Sequence, residues 1–249
     1  MVETSVSLRC VGTGDAFGSG GRLHSCFHLT FPEGQLLIDC GCSSLIGMQR
    51  CGLIAAEVDT IVISHLHGDH FGGIPFLLLE GKYLSQRTRP LTVIGPVGLQ
   101  QRVTAAAEAL YPGVLGRKIN FPVEYRLLDP KQPLQVNAAT IECFQVKHGS
   151  SQQVYGLRIG AAGKVISYSG DTEWTDNLIP LAKGSDLLIA ECFAYDQPVP
   201  GHLDYQTLRQ KRQWLDCQRM VLTHLGPEML MQLPQLELEV VDDGDLIEL

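Results

Sequence analysis

A chain of 249 residues with 19 lysines and arginines against 27 aspartates and glutamates carries a formal charge of −8. That balance excludes a broad basic surface and makes long nucleic acid a poor partner, while a small phosphorylated substrate stays open because bound cations can supply local positive charge. Apolar (45%) and charged (18%) fractions are ordinary, so a folded core is expected, and no uninterrupted apolar run is long enough to span a membrane.

Val6 to Val11 reads as a first strand. The loop after it, Gly12 to Arg22, lacks the third glycine and the following helix of a dinucleotide-binding turn, Phe17 standing where that glycine would be. It reads as a long turn or a loop near a ligand. Cys26 to Phe31 and Gln35 to Asp39 form an antiparallel pair turned at Glu33-Gly34. Ser43 or Ser44 caps a helix to about Cys51. Thr60 to Ser64 is a short buried strand, and Phe76 to about Tyr83 an apolar helix. Leu91 to Ile94 is another strand, followed by a helix over Leu99 to Leu110 with abundant alanine. Strands follow at Val123 to Leu128, Thr140 to Val146, Val154 to Ile159, Val165 to Tyr168, Leu187 to Glu191 and Met220 to Thr223. A helix from Tyr205 to Trp214, capped by Asp204, precedes the last of these. Leu236 to Val241 and Leu246 to Leu249 close the chain around Asp242-Asp243-Gly244, which reads as a hairpin turn. No repeat, low-complexity segment or linker interrupts this order. It predicts one domain over residues 1–249, with two sheets face to face and helices outside.

The eight cysteines (Cys10, Cys26, Cys40, Cys42, Cys51, Cys143, Cys192 and Cys217) form no CxxC pair. Met1-Val2-Glu3-Thr4 has neither the basic start nor the apolar stretch of a signal peptide. Reduced thiols in a soluble cytoplasmic protein are expected.

Chemistry concentrates where the strand Thr60 to Ser64 ends. His65-Leu66-His67-Gly68-Asp69-His70 offers four metal ligands within six residues, with Gly68 allowing the tight bend. Imidazole and carboxylate suit zinc, manganese or iron. Three later strand ends repeat the arrangement, at His148, Asp171 and His224. Read singly, these are a loop histidine, a turn cap and a core histidine; together, four strand ends can gather at one edge of a sandwich. Seven ligands then suffice for two metal ions that keep room for solvent.

In this pattern the chain resembles the metallo-β-lactamase superfamily, whose signature is HxHxDH followed by distant His, Asp and His. Within it the chain is most similar to the ribonuclease Z branch, through Gly12-Thr13-Gly14, Ile38-Asp39-Cys40-Gly41, His65 through Pro75, Ser169-Gly170-Asp171-Thr172, Glu191 with His202, Leu222-Thr223-His224 and Asp243-Gly244. The resemblance implies an α/β fold, the four-layer αββα sandwich. It implies one ion on His65, His67 and His148, a second on Asp69, His70 and His224, and Asp171 bridging both alongside a hydroxide. Zinc is the expected ion, with manganese or iron open to the same ligands. Asp69 would also take a proton from the attacking water, and Asp39 would orient a metal-bound histidine. Glu191 and His202 would assist phosphate binding and deliver a proton to the leaving group; read without the resemblance, they are a strand-end carboxylate and an exposed loop histidine. His202-Leu203-Asp204 departs from the small hydroxyl residues usual after that histidine.

The basic, glycine-rich arm with which tRNA-processing members grip their substrate has no counterpart between His70 and His148 or between Asp171 and His202. The basic groups present (Lys82, Arg87 and Arg89; Arg117 and Lys118; Arg209, Lys211 and Arg212) are small, as on ordinary solvated faces. The expected activity is hydrolysis of a small or short phosphodiester, such as a cyclic nucleotide or short RNA. A thioesterase, lactonase or glyoxalase-type hydrolase is the alternative on the same fold, and a non-catalytic binding protein the alternative of another class. Superfamily relatives often pair, which keeps a homodimer open.

Overall fold

The computed structural model describes residues 5–114, 119–149 and 153–249; Met1 to Thr4 and the basic pair Arg117 and Lys118 lie outside them. Two seven-stranded sheets face each other. The first takes β1 (Ser7–Gly12), β2 (Cys26–Phe31), β3 (Gly34–Ile38), β4 (Thr60–Val62), β5 (Leu91–Gly95), β6 (Val123–Leu127) and β14 (Leu246–Glu248), in the order β14-β1-β2-β3-β4-β5-β6. The second takes β7 (Leu134–Val136), β8 (Ala139–Gln145), β9 (Tyr155–Ala161), β10 (Lys164–Tyr168), β11 (Ser185–Glu191), β12 (Cys217–Thr223) and β13 (Glu239–Val240), in the reverse of their listing, β13 to β7.

Period-two alternation explains the layering. Leu36 and Ile38 of β3 point between the sheets while Leu37 points outward; Leu187 and Ile189 of β11 point between the sheets while Leu188 and Ala190 point outward. Strands buried on both faces therefore read as continuous apolar runs. The outer face of the first sheet is covered by α1 (Ser44–Arg50), α3 (Ile74–Tyr83) and α4 (Leu99–Leu110), the last burying Leu99, Val103 and Ala107 at four-residue spacing. That of the second carries α5 (Leu178–Ala182), α6 (Tyr205–Lys211) and α7 (Pro227–Met231). The result is the expected αββα sandwich.

Three expectations fail for identifiable reasons. Asp242-Asp243-Gly244 is no hairpin: β13 pairs with β12 in one sheet and β14 with β1 in the other, so the turn carries the chain between sheets. The helix expected to Trp214 stops at Lys211 and tightens into a 3₁₀ turn over Arg212–Trp214. Arg87 is no solvated cation: it is 5% exposed, and its guanidinium donates to the carbonyls of Val58 and Pro90 at 2.8 and 2.6 Å.

Candidate active site

The ends of β3, β4, β8, β10 and β12 converge at one edge of the sandwich, and each is followed by a residue of the expected set. After β4 the chain runs through Ser64, His65 and His67 into α2 (Gly68–Phe71), one turn that carries Asp69 and His70. This turn lies against the chain after β3: a Cβ on Gly41 would fall 2.2 Å from the Asp69 carbonyl oxygen, and one on Gly73 would fall 2.2 Å from that of Gly41. Only glycine permits that approach.

His65, His67, His148 and Asp171 offer ligand atoms all within 4.8 Å of one another, as do Asp69, His70, Asp171 and His224. Asp171 is common to both groups. Its Oδ2 lies 3.3 Å from His70 Nε2, 3.4 Å from His224 Nε2 and 3.9 Å from both His65 Nε2 and His148 Nε2. Asp69 Oδ2 lies 3.2 Å from His70 Nε2 and 3.4 Å from His224 Nε2.

The far side of three rings fixes their tautomers. His70 Nδ1 donates to Asp39 Oδ2 at 2.7 Å and His148 Nδ1 donates to the Gly201 carbonyl at 2.6 Å. Ser64 Oγ gives its proton to Asp39 Oδ2 at 2.8 Å, so His65 Nδ1, 3.1 Å from Ser64 Oγ, donates to that hydroxyl oxygen. In its neutral form each ring thus turns an Nε2 lone pair into the cluster. His148 Nε2 faces His67 Nδ1 at 3.0 Å, and among the described residues His65 Nε2, His70 Nε2 and Asp171 Oδ1 are buried with no hydrogen-bond partner. Bare buried acceptors of this kind cost about 1–3 kcal/mol each. The donor set therefore fits a divalent cation, which would satisfy lone pairs and carboxylates together.

Electrostatics agree with the geometry. Burial alone would lower His70, but Asp171, Asp39 and Asp69 overcome it and hold this histidine well above its usual range; Asp171 and Asp69 raise His224 against burial in the same way. His65 is pushed well below the usual range by burial and by His70. Asp69 and Asp171, which burial alone would raise, stay far below ordinary carboxylates, His70 and His224 supplying the opposing charge in both.

Beside the cluster lies a second constellation. His202 Nδ1 is 3.1 Å from Glu191 Oε1, and its ring stacks on that of His224 at 5.5 Å with an interplanar angle of 15°. Phe193 packs against His202 at 4.9 Å between ring centroids. Glu191 is fully buried at the end of β11 and accepts the Thr172 N–H at 2.5 Å. Burial and Asp171 raise its pKa well above the usual carboxylate range, while burial lowers that of His202. Neither residue is the solvent-facing group that a reading without the resemblance would make it.

Several supporting groups have roles that sequence reasoning does not assign, because they act through hydrogen bonds within the scaffold. Thr13 O accepts the His224 N–H at 2.9 Å, holding a residue at φ 58°. Asp243 in turn accepts from Thr13 N and Oγ1, both at 2.8 Å, and from Leu23 N at 2.7 Å. The Gly12–Arg22 loop ties down its own turn, Asp15 accepting from Ser19 N at 2.9 Å and Ser19 Oγ at 2.6 Å.

Residues 6–239 match the family model described as Anti-Pycsar protein Apyc1. A ribonuclease Z of Lachnoclostridium phytofermentans is 33% identical over 156 residues, which is 63% of this chain and 49% of the relative. The chain spans about half the length of these curated ribonuclease Z relatives, a second one, of Agathobacter rectalis, being matched over 49% of its length as well. YhfI of Bacillus subtilis is 26% identical over 228 residues, covering 88% of this chain and 87% of YhfI. The crystal structure of YhfI, described as a metallo-beta-lactamase fold protein, superposes with a TM-score of 0.78 at 22% identity, over 99% of this chain and 100% of that one. Human tRNase Z, short form, gives 0.79 at 25% identity, over 97% and 98%.

Proposed function

The chain belongs to the family described as Anti-Pycsar protein Apyc1, within the ribonuclease Z-like branch of the metallo-β-lactamase superfamily, and on that premise we propose that it is a metal-dependent phosphodiesterase. Its substrate is a small or short phosphodiester, a cyclic nucleotide or short RNA. The observation that carries this reading is the pair of four-ligand groups sharing Asp171, with Glu191 and His202 against them.

His65, His67, His148 and Asp171 would hold one divalent ion, and Asp69, His70, His224 and Asp171 a second, zinc being the expected metal. Ions so held acidify water and polarise a phosphoryl oxygen. The chain's own groups do the rest. Asp69, its carboxylate 3.2 Å from His70 Nε2 and 3.4 Å from His224 Nε2, would accept a hydrogen bond and then a proton from the attacking water. Glu191 and His202 are both shifted toward their neutral forms, so the pair holds one proton between them near neutral pH. His202 passes that proton to the leaving oxygen, and Glu191 fixes its ring. An alkoxide needs such a donor; a thiolate does not, which favours the phosphodiester over the thioesterase reading. The unpaired state of all eight cysteines supports a cytoplasmic setting.

A zinc-loaded preparation assayed side by side on bis(p-nitrophenyl) phosphate, cyclic nucleotides, short RNA, thioesters and lactones tests the assignment. Turnover confined to thioesters or lactones would overturn it. Tight, salt-sensitive binding of tRNA in a gel shift would overturn the small-substrate part alone.

A further inference from the structure

A cavity of about 600 Å³ opens past the end of β5, next to the end of β4, with Leu66, Val97, Gln101, Arg102, Ala105 and Gln153 in its wall. We propose that it seats the nucleoside of the substrate, a subsite that rests on the phosphodiesterase reading.

Position is the first argument. Leu66 stands between His65 and His67, and His67 is the exposed member of its group. Val97, Gln101, Arg102 and Ala105 belong to the start of α4 and the residues leading into it, and Gln153 follows His148 by five positions. Because β5 pairs with β4, the start of α4 stands beside the strand end that delivers His65 and His67, and Leu66 belongs to that strand end itself. In a linear phosphodiester one substituent leaves and one stays, and in a cyclic nucleotide one ribose carries both ester oxygens; in either case a nucleoside remains attached to the phosphorus and needs a place close to the cluster.

Chemistry is the second. The volume falls within the range of small-molecule sites. Leu66 and Val97 offer apolar surface for the face of a base. The Gln153 Oε1 accepts from Val97 N at 3.5 Å, which leaves its NH₂ to donate into the cavity. Arg102 makes no side-chain hydrogen bond or ion pair among the described residues, so its planar guanidinium is free to donate or to stack. Gln101 can donate or accept. Among the described residues no carboxylate stands in the wall to repel an anionic substrate. Donors that converge over an apolar floor match a nucleobase edge carrying carbonyl oxygens, better than they match a hydrocarbon tail or a second phosphate.

The test compares two esters with one leaving group: thymidine 5′-(p-nitrophenyl phosphate) and methyl p-nitrophenyl phosphate. The metal-loaded protein is expected to favour the nucleoside ester by about tenfold or more in kcat/KM, mainly through KM. Arg102→Ala and the cavity-filling Ala105→Trp, both at exposed positions of α4, are expected to collapse that preference to about twofold, with the methyl ester and metal content unchanged. An unchanged preference in both variants overturns the proposal. Should neither ester turn over, the phosphodiesterase reading fails by itself, and binding of thymidine 5′-monophosphate decides the subsite. Binding lost in Arg102→Ala and Ala105→Trp supports it; no binding, or equal binding in all three proteins, overturns it.

Discussion

Asp39 touches no substrate in the proposed reaction, yet its carboxylate receives His70 Nδ1, Ser64 N and Ser64 Oγ, and through Ser64 it sets His65 as well. Asp39→Ala is therefore expected to weaken metal binding about 10–100-fold, read by competition with a chelator, with Asp39→Asn recovering part of the loss. Wild-type affinity in Asp39→Ala would show that Ser64 and packing suffice. His202→Ala should leave metal content intact and lower kcat on a phosphodiester by about a hundredfold or more, with a smaller effect where the leaving group is already acidic, such as p-nitrophenol. An equal loss on both substrate types would remove His202 from proton delivery. At this scale the sequence is readable where chemistry is carried by a side chain of unusual type at a strand end, as at His65, His148, Asp171 and His224. It is silent about Thr13 and Gly201, whose contributions are carbonyl oxygens that any residue could supply. Phe193 is likewise invisible, because an aromatic after a buried strand looks like core.

Among the elements, α2 is the one whose placement the cluster depends on most, and it is four residues long. Gly41 and Gly73 let it lie against the end of β3. Gly41→Ala is expected to destabilise the fold by about 1–3 kcal/mol or more and to displace Asp69, so that the denaturation midpoint and metal affinity fall together. A stability loss with unaltered affinity would mean that the turn moves as a rigid unit. At α6, Asp204 accepts the Thr207 N–H at 2.8 Å, the N-cap expected from sequence. Asp204→Ala should cost about 1 kcal/mol in equilibrium unfolding. Strands and the longer helices are legible because alternation and four-residue spacing leave a signature over five or more positions. The turns of α2, α5 and α7 span too few residues for a period to show, and β7 carries only three. The error at Asp242-Asp243-Gly244 has another origin: turn chemistry fixes a reversal of the chain but not the sheet that receives it.

Across the whole molecule, the two sheets share one plan. In each, three antiparallel pairings are followed by three parallel ones, β14-β1-β2-β3 then β3 to β6, and β7-β8-β9-β10 then β10 to β13. Asp39 follows β3 as Asp171 follows β10, so equivalent strand ends supply a carboxylate from each half. The sequence shows no repeat because packing constrains only the alternation of apolar residues, which many sequences satisfy. The collected charge also governs stability. His70 and His224 sit above their usual range, and burial pushes the thiols of Cys10 and Cys26 up to about 12. Well above the unfolded histidine value of ~6.5 the histidines that burial lowers (His28, His65, His67, His148 and His202) are neutral in both states, so these raised groups leave the folded, metal-free chain binding more protons than the unfolded one. The stability these groups contribute is complete below that value and is lost as pH rises through their raised ones. A chelated sample should melt at a lower temperature at about pH 9 than at about pH 7, while the stabilisation gained from added zinc grows over the same interval because binding must displace protons. A chelated sample that melts higher at the alkaline end would contradict this sign. The brace from Asp243 to Thr13, and from Thr13 to His224, has a consequence for biosynthesis. A ribosome that has just added His224 has already made every candidate ligand, but the carboxylate that locks the Thr13 loop is still to be translated. A cation met by the nascent chain at that stage finds an unclamped set of donors, and durable loading belongs after Asp243 has emerged from the exit tunnel.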